Sequence, residues 1–180
     1  MSTRRWRSGA LAAAGLVVAV PLMSGCSEAA LYQLSGAVYR DASGVITVGG
    51  ELDVFDLVAG DCFDESDAVH PRATEDSVYV VRAIPCGDPH TYEVYHVFVL
   101  PAGDYPGEDG TATAADEGCL PAFEDFVGQP WEDSLLEYSF YTPTESGWDG
   151  IDKDRMVQCF IGDEGVSVTG SAADDGRQSS

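Results

Sequence analysis

Two neighbouring stretches in the middle of the chain are mostly apolar and are separated by a short polar break, and this pattern predicts a β-hairpin. Residues 78–84 and 91–100 are rich in Val, Tyr and Phe, which favour strands. Between them, residues 85–90 contain two prolines and a Gly-Asp pair, which interrupt a ladder and favour a turn. We therefore predict a hairpin over residues 77–100. Both faces of its second strand are mostly apolar, so we expect that strand to be central and covered on both sides.

Shorter alternating stretches predict further strands on either side of this hairpin. Residues 45–48 and 52–58 alternate, and the Gly-Gly pair between them is typical of a hairpin turn. Residues 135–141 and 156–161 predict two more strands. An acidic loop, residues 142–155, connects that last pair.

Helical periodicity marks residues 113–127. The apolar side chains there recur at i, i+4, i+7 and i+8 on one stripe, formed by Cys119, Phe123, Phe126 and Val127. Thr113 and Asp116 resemble a capping box, and Gly128 suits the end of the helix. Pro121 either kinks this helix or lies in the first turn of a shorter one that begins near Cys119. The order of strands, helix and strands predicts an α+β fold, a small antiparallel sheet with one main helix.

The N-terminus resembles an export signal. Three arginines precede an apolar run at residues 10–23, which is too short to cross a bilayer comfortably. Residues 22–26, Leu-Met-Ser-Gly-Cys, look like a lipobox, in which signal peptidase II cuts before Cys26 and its thiol carries a diacylglycerol. The alternative is an ordinary cleaved signal followed by a stray cysteine. The Arg4-Arg5 pair hints at twin-arginine export, but the following residues fit that signal poorly and Sec export is the default.

Composition shifts along the chain predict its organisation. After the leader, residues 27–42 are weakly patterned, and residues 163–180 are polar, small and poor in apolar side chains. We predict four segments: a lipoprotein signal peptide at 1–25, a tether at 26–42, one domain at 43–162 and a disordered tail at 163–180.

The cysteine count supports lipidation. Five cysteines is an odd number, and a lipid on Cys26 leaves an even set in an exported chain: Cys62, Cys86, Cys119 and Cys159. None lies in a Cys-x-x-Cys pair, so disulfides are favoured over a metal site. Four cysteines allow three pairings. We favour Cys62–Cys86, which ties the incoming segment to the hairpin, and Cys119–Cys159, which pins the helix to the last strand.

The strong negative charge excludes some partners. The chain has a formal net charge of −22, and the leader holds three of the nine basic residues and none of the acids, so the mature form carries −25. A protein without a basic patch cannot release counterions from phosphates, so we predict no nucleic-acid partner. The same charge disfavours docking on anionic lipid headgroups. Its ordinary role is solubility.

Four motifs in order resemble those of the septum formation domain family, secreted or membrane-tethered proteins of actinobacteria. They are Gly-Asp-Cys-Phe at 60–63, Cys-Gly-Asp-Pro-His-Thr-Tyr-Glu-Val at 86–94, the helix that opens at Cys119 and ends Phe-Val-Gly at 126–128, and Asp-Arg-Met-Val-Gln-Cys at 154–159. The resemblance covers roughly residues 39–162. It implies a link to division septa or the cell envelope and no known catalytic activity.

The spacing of His90, Glu93 and His96 invites a zinc interpretation. On a strand, however, the two histidines share a face and Glu93 points away, and the helical spacing of zinc enzymes is absent. We predict no metal and no cofactor, and expect His90 and Glu93 to order the turn at residues 85–90 through hydrogen bonds. Three aspartates of the acidic loop also lack the EF-hand glycine and glutamate: Asp149, Asp152 and Asp154.

These patterns together predict a lipid-anchored, extracytoplasmic binding or scaffold module linked to the cell envelope or septum formation, and not an enzyme. Its expected contacts are the membrane, through the lipid on Cys26, and an envelope or septal protein. Four aromatic side chains either form an exposed partner surface or pack in the core: Trp131, Tyr138, Tyr141 and Trp148. The alternative is an envelope hydrolase or glycan-acting enzyme that uses acids of residues 142–155, which a deep pocket with convergent carboxylates would favour.

Overall fold

The computed structural model describes residues 36–66, 80–151 and 153–173. The predicted leader, Cys26 and most of the predicted tether lie outside the described residues, as does Asp152. Among the helices of the described ranges, none combines the length and the apolar character needed to cross a membrane.

The described residues form two antiparallel sheets and two α-helices, which confirms the predicted α+β fold. The strands are β1 Tyr39–Arg40, β2 Ile46–Val48, β3 Gly50–Asp53, β4 Cys62–Glu65, β5 Val80–Ile84, β6 Tyr92–Val99, β7 Tyr138–Tyr141 and β8 Met156–Ile161. The helices are α1 Glu108–Val127 and α2 Glu145–Asp149. Strands β1 and β2 form a small sheet, and the others form a six-stranded sheet in the order β3-β5-β4-β6-β8-β7.

The predicted central hairpin is wrong, because β4 lies between β5 and β6. Cys62 of β4 pairs with Ile84 of β5 on one side and with Glu93 of β6 on the other. Residues 85–91 are long enough to pass the end of an intervening strand, and the Cys62–Cys86 disulfide ties this connection to β4. Strand β6 is nevertheless central, as predicted, because it pairs with both β4 and β8.

The predicted hairpin around the Gly-Gly pair is also wrong. Strand β2 pairs with β1, whereas β3 pairs with β5, so the chain changes sheets at Gly49. A Cβ atom on Gly49 would lie 2.6 Å from the carbonyl oxygen of Ala83, so glycine permits this close approach of two backbones. The predicted strand at 52–58 ends early, because the Asp53 carboxylate accepts a hydrogen bond from the Phe55 amide and caps a 3₁₀ turn at Val54–Asp56.

A bulge in β6 changes which side chains share a face. Val94 pairs with Phe160 and His96 pairs with Cys159, which leaves Tyr95 as an extra residue. Val94 and Val97 therefore pack on one side of the sheet, while Tyr95 and Phe98 pack on the other. The regular alternation of faces expected of a strand is therefore broken between residues 92 and 99.

Helix α1 covers one face of the six-stranded sheet. It begins at Glu108 rather than at Thr113, whose hydroxyl donates to the carbonyl oxygen of Asp109 inside the helix, so the predicted capping box is wrong. The predicted apolar stripe packs on the sheet, with Phe123 and Val127 buried. The helix contains Pro121 and ends at Gly128, whose φ of 81° is left-handed.

Two disulfides join these elements and confirm the favoured pairing. Cys62–Cys86 spans a Cα–Cα distance of 5.2 Å, and Cys119–Cys159 spans 5.6 Å. The second links α1 to β8 within the core between helix and sheet. A separate core on the opposite face includes Leu57, Phe63 and Phe160.

Candidate functional site

A cavity of about 200 Å³ lies at the end of the sheet where β6 begins and β8 ends. We call it the His90 cavity. Its apolar lining comes from the segment before β7 and from the residues around and after the end of β8: Leu135, Leu136, Ile161, Val166, Val168 and Ala172. His90 and Glu93 contribute its buried polar side chains. A mostly apolar lining with a few polar groups is the usual make-up of a small-ligand site.

The segment after β8 forms one wall of this cavity. The amide and carbonyl groups of Val168 exchange two hydrogen bonds with His90, at 2.9 and 2.8 Å. The Gly170 amide donates to the carbonyl oxygen of Cys86 at 2.6 Å, and the Ala172 amide donates to the Glu93 carboxylate at 2.7 Å. The prediction that disorder begins at residue 163 is therefore wrong for residues 163–173, and residues 174–180 lie outside the described ranges.

His90 is held in one orientation within the cavity wall. Its side chain is 1% exposed, and its Nδ1 atom lies 2.8 Å from the carbonyl oxygen of Asp88. A carbonyl oxygen only accepts hydrogen bonds, so Nδ1 donates this bond and Nε2 takes no part in it. Within the described ranges, this buried Nε2 atom has no hydrogen-bond partner. Such atoms are rare in folded proteins, where buried polar groups are normally paired.

Glu93 has a role that differs from the predicted one. It was expected to order the turn at residues 85–90, but its 4% exposed carboxylate instead accepts the amide of Ala172 and fastens the segment after β8. One carboxylate oxygen also lies within 4.8 Å of the sulfurs of Cys62 and Cys86. These sulfurs are joined in a disulfide and offer no thiolate, so the three groups do not fit a metal ion.

The three residues of the rejected zinc interpretation, His90, Glu93 and His96, do not come together. His96 stacks on Phe98 with ring centroids 5.5 Å apart and does not line the cavity that His90 and Glu93 share. Asp154 of the acidic loop accepts the backbone amide of Met156, at the start of β8. Among the described residues of 142–155, none lines the His90 cavity, so the described acids of the hydrolase alternative are not brought to it.

Asp64 connects the neighbourhood of the cavity to the sheet. Its carboxylate accepts the amide of Thr91 at 2.8 Å and the guanidinium of Arg82 at 2.7 Å. Burial acts to raise the pKa of Asp64, but the hydrogen bonds from Arg82 and Thr91, with the charge of Arg82, outweigh it and hold the pKa below its ordinary value.

Of the two interpretations of the four aromatic residues, the structure supports packing rather than an exposed partner surface. Trp148 is 2% exposed, its indole N–H donates to the carbonyl oxygen of Gly103, and the guanidinium of Arg155 stacks on its ring 3.6 Å away. Tyr141 packs on the opposite side of the sheet, in the core that includes Phe63.

The other two aromatics of that group pack together at the edge of α1. Trp131 and Tyr138 meet edge to face with centroids 5.6 Å apart, and both lie against the core beneath the helix. The Tyr138 hydroxyl donates to the Asp116 carboxylate at 2.9 Å. Burial, together with this bond, raises the pKa of Tyr138 to about 12.

Most of the cavity lining is not predicted by the sequence. The strand predicted over residues 135–141 begins only at Tyr138, so Leu135 and Leu136 are free to line the cavity, and the segment after β8, predicted to be disordered, forms its wall. One signal was available in that segment, where Val166, Ser167 and Val168 alternate apolar and polar residues. That short alternation precedes the two backbone hydrogen bonds between Val168 and His90.

Comparison with known proteins gives one match. A protein-family model described as "Septum formation" matches residues 57–159, more than half of the chain. The match includes all four disulfide cysteines, His90 and Glu93, and ends before the segment that follows β8. No curated protein and no solved structure matches the chain.

Proposed function

Because this chain belongs to the septum formation family, which indicates a role at the cell envelope or septum, we propose that it is a lipid-anchored, extracytoplasmic binding module whose ligand enters the His90 cavity. The module does not carry out chemistry on that ligand. It holds an envelope component near the membrane, or is itself recruited by one.

The observation that carries this proposal is a mostly apolar cavity of about 200 Å³ whose wall contains the buried side chains of His90 and Glu93. The Nε2 atom of His90 has no partner among the described residues, and leaving a buried polar atom unpaired costs about 1–3 kcal/mol. The ring cannot turn to find another partner, since Nδ1 is tied to the Asp88 carbonyl oxygen and the backbone of His90 is paired with Val168.

Location outside the cytoplasm is supported by independent features. Disulfides persist in oxidising compartments and are rare in the cytosol, and this domain has two. The leader-like residues 1–25 and the lipobox-like residues before Cys26 fit export and lipid attachment. One acyl-bearing cysteine would keep a strongly acidic domain close to a membrane that its surface charge repels.

The binding role can be tested by photo-crosslinking in intact cells. Leu135 lines the cavity rim and is 66% exposed, whereas Val99 is 67% exposed on β6 and does not line the cavity. We replace each in turn with p-benzoylphenylalanine, irradiate living cells and follow the chain by immunoblotting. The residue at position 135 should give a discrete adduct or a ligand-shifted mass, and the matched residue at position 99 should not.

Two outcomes would contradict this proposal. Equal crosslinking from positions 135 and 99 would show non-specific proximity, and the absence of an adduct or mass shift at position 135 would show an empty cavity in the cell. An adduct that is hydrolysed or otherwise altered only when Glu93 or Glu137 is intact would favour the enzyme alternative instead, because both residues line the cavity.

A further inference from the structure

The six-stranded sheet has two edges, and the described part of the chain covers only one of them. Strand β3 forms the first edge, and Ala37 lies beside it in a parallel bridge with Glu51. Strand β7 forms the second edge and pairs with β8. Within the described ranges, no residue outside β8 hydrogen-bonds to the backbone of Tyr138–Tyr141. The edge of β7 is therefore open to a further strand.

The register of β7 shows which of its backbone groups point outward. The Gly162 amide donates to the carbonyl oxygen of Glu137, so these two residues form a hydrogen-bonded pair. Such pairs alternate along an antiparallel ladder, so every second residue of β7 bonds to β8 and the others do not. Tyr138 and Phe140 are the others, and their N–H and C=O groups point away from β8. Each residue offers one donor and one acceptor to an added strand.

The charges around β7 determine which strand it can accept. Residues 83–152 include no lysine or arginine and many acids. Asp116 accepts a hydrogen bond from the Tyr138 hydroxyl at 2.9 Å, and Glu137 directly precedes the strand. Burial, the bond to Asp116 and the negative charges of Asp116 and Glu132 raise the pKa of Tyr138 to about 12. These three exposed acids make the surface beside β7 negative.

We propose that the open edge of β7 binds an extended, lysine- or arginine-rich segment of a protein partner, which adds to the sheet as a further strand. Backbone hydrogen bonds to Tyr138 and Phe140 supply affinity, and the acids select the charge of the partner. A second copy of the chain is a poor occupant, because each copy has a formal net charge of −22 and pairing would bring the acids of two edges together. The site is additional to the His90 cavity, whose lining includes none of Tyr138–Tyr141.

The test measures peptide binding to the full chain purified in detergent. The probe is an acetylated six-residue peptide in which lysine alternates with valine, and a matched peptide has glutamate in place of every lysine. We expect the lysine peptide to bind at least tenfold more tightly than the glutamate peptide, because the surface beside β7 is negative.

Two N-methylated forms of the lysine peptide test for strand addition. One is methylated at every lysine amide and the other at every valine amide, so each loses the donors of one edge and keeps its charge. Alternate N–H groups of a strand point to opposite sides, and only one side of the added strand faces β7. One methylated peptide should therefore bind within threefold of the parent, and the other at least tenfold more weakly.

Amide hydrogen exchange and a pair of matched variants locate the site. Saturating lysine peptide should slow exchange at the amides of Tyr138 and Phe140 at least tenfold, and should leave that of β3, at the opposite edge, within twofold. Glu132→Gln should weaken binding of the lysine peptide about threefold. Glu51→Gln removes the same charge from β3 and should leave binding unchanged.

Several results would overturn the inference. They are equal binding of the lysine and glutamate peptides, equal binding of the two methylated peptides, equal effects of Glu132→Gln and Glu51→Gln, or unchanged exchange at Tyr138 and Phe140 when peptide is bound. Protection of these two amides that rises with protein concentration in the absence of peptide would assign the edge to a second copy of the chain instead. The crosslinking test of the His90 cavity is independent of these outcomes, because it uses no residue of β7.

Discussion

At the scale of single residues, buried and half-buried polar groups determine how the loops meet the sheet. Asp64 receives hydrogen bonds from Arg82 on β5 and from Thr91 next to His90. Asp61 is buried and forms an ion pair with Arg40 of the small sheet. Each carboxylate therefore joins segments that are distant along the chain, and its charge state affects how firmly they are joined.

Asp64→Asn should destabilise the protein at neutral pH and have little effect in acid. The pKa of Asp64 is lowered by folding, so its contribution is present above the unfolded value of about 3.9 and is lost as pH falls through the folded value. Loss of charge-assisted bonds to Arg82 and Thr91 should lower the free energy of unfolding by about 1 kcal/mol at pH 7. Urea unfolding at pH 7 and pH 3 measures the difference between wild type and variant.

The control for this experiment is Asp104→Asn, at an exposed residue of the loop before α1. It should leave the free energy of unfolding within about 0.5 kcal/mol of wild type at both pH values. The free energies of unfolding of wild type and Asp64→Asn should differ less at pH 3 than at pH 7. A difference that stays constant or widens would show that the charge of Asp64 does not cause the destabilisation.

At the scale of elements, the segment after β8 determines whether the His90 cavity exists. It has no strand of its own in the six-stranded sheet, and it is held by the backbone of His90 and Cys86 and by the side chain of Glu93. Elements with so few attachments open more easily than the sheet they cover. The cavity wall is thus the part of this site that a ligand would stabilise most.

Glu93→Ala should loosen this segment, and Glu93→Gln should not. Alanine leaves the Ala172 amide without its acceptor, at a cost of about 1–3 kcal/mol, whereas the glutamine side-chain oxygen can still accept that bond. Hydrogen exchange at the amides of Val168, Gly170 and Ala172 should accelerate at least fivefold in Glu93→Ala. The amides of β8 should exchange as in wild type.

Comparison of the two variants also separates the effect of the hydrogen bond to Ala172 from the effect of the negative charge of Glu93. Acceleration of the same size in Glu93→Gln would mean that the negative charge, rather than the hydrogen bond, holds the segment. No acceleration in either variant would mean that the bond between Ala172 and Glu93 contributes nothing to the closure of the cavity.

At the scale of the whole molecule, covalent links supplement two modest cores. The disulfides close loops with sequence separations of 24 and 40, for which loop entropy predicts about 3–4 kcal/mol of stabilisation each. One lies by β4 and the His90 cavity, and the other lies between α1 and β8. Both require an oxidising environment, so the stability of the domain depends on the compartment in which it resides.

The mass spectrum of native protein should reveal both kinds of covalent modification. We expect an N-terminus at Cys26 that bears a diacylglycerol, and no alkylation of cysteine before reduction. After reduction, Cys62, Cys86, Cys119 and Cys159 should each react with the alkylating agent. In Cys26→Ser the acyl mass should disappear and residues 1–25 should be retained, because signal peptidase II requires the cysteine.

A single measurement would contradict this assignment. A wild-type chain with unacylated Cys26 and four free sulfhydryl groups would place it in a reducing compartment. Neither the disulfides nor the lipid anchor would then be present in the native protein.

Patterns that depend on neighbours along the chain were predictable from the sequence. The stripe of Cys119, Phe123 and Val127 predicted a helix with one apolar side, and the mostly apolar run at Met156–Ile161 predicted a strand. The family resemblance followed from motifs read in order, and the match to residues 57–159 confirms it. Local periodicity and motif order can be recognised without knowing which strands pair in the sheet.

Strand order, the bulge and the cavity depend on which distant segments contact each other, so only the tertiary structure decided them. The sequence placed β5 beside β6, but β4 enters between them because strand pairing is a long-range choice that residues 85–91 leave open. The bulge at Tyr95 reverses which face of the sheet the following side chains of β6 occupy. Alternation along the strand does not predict this reversal. The His90 cavity exists only because residues 163–173 return to His90 and Glu93, and the short alternation at residues 166–168 does not indicate which segment they would meet.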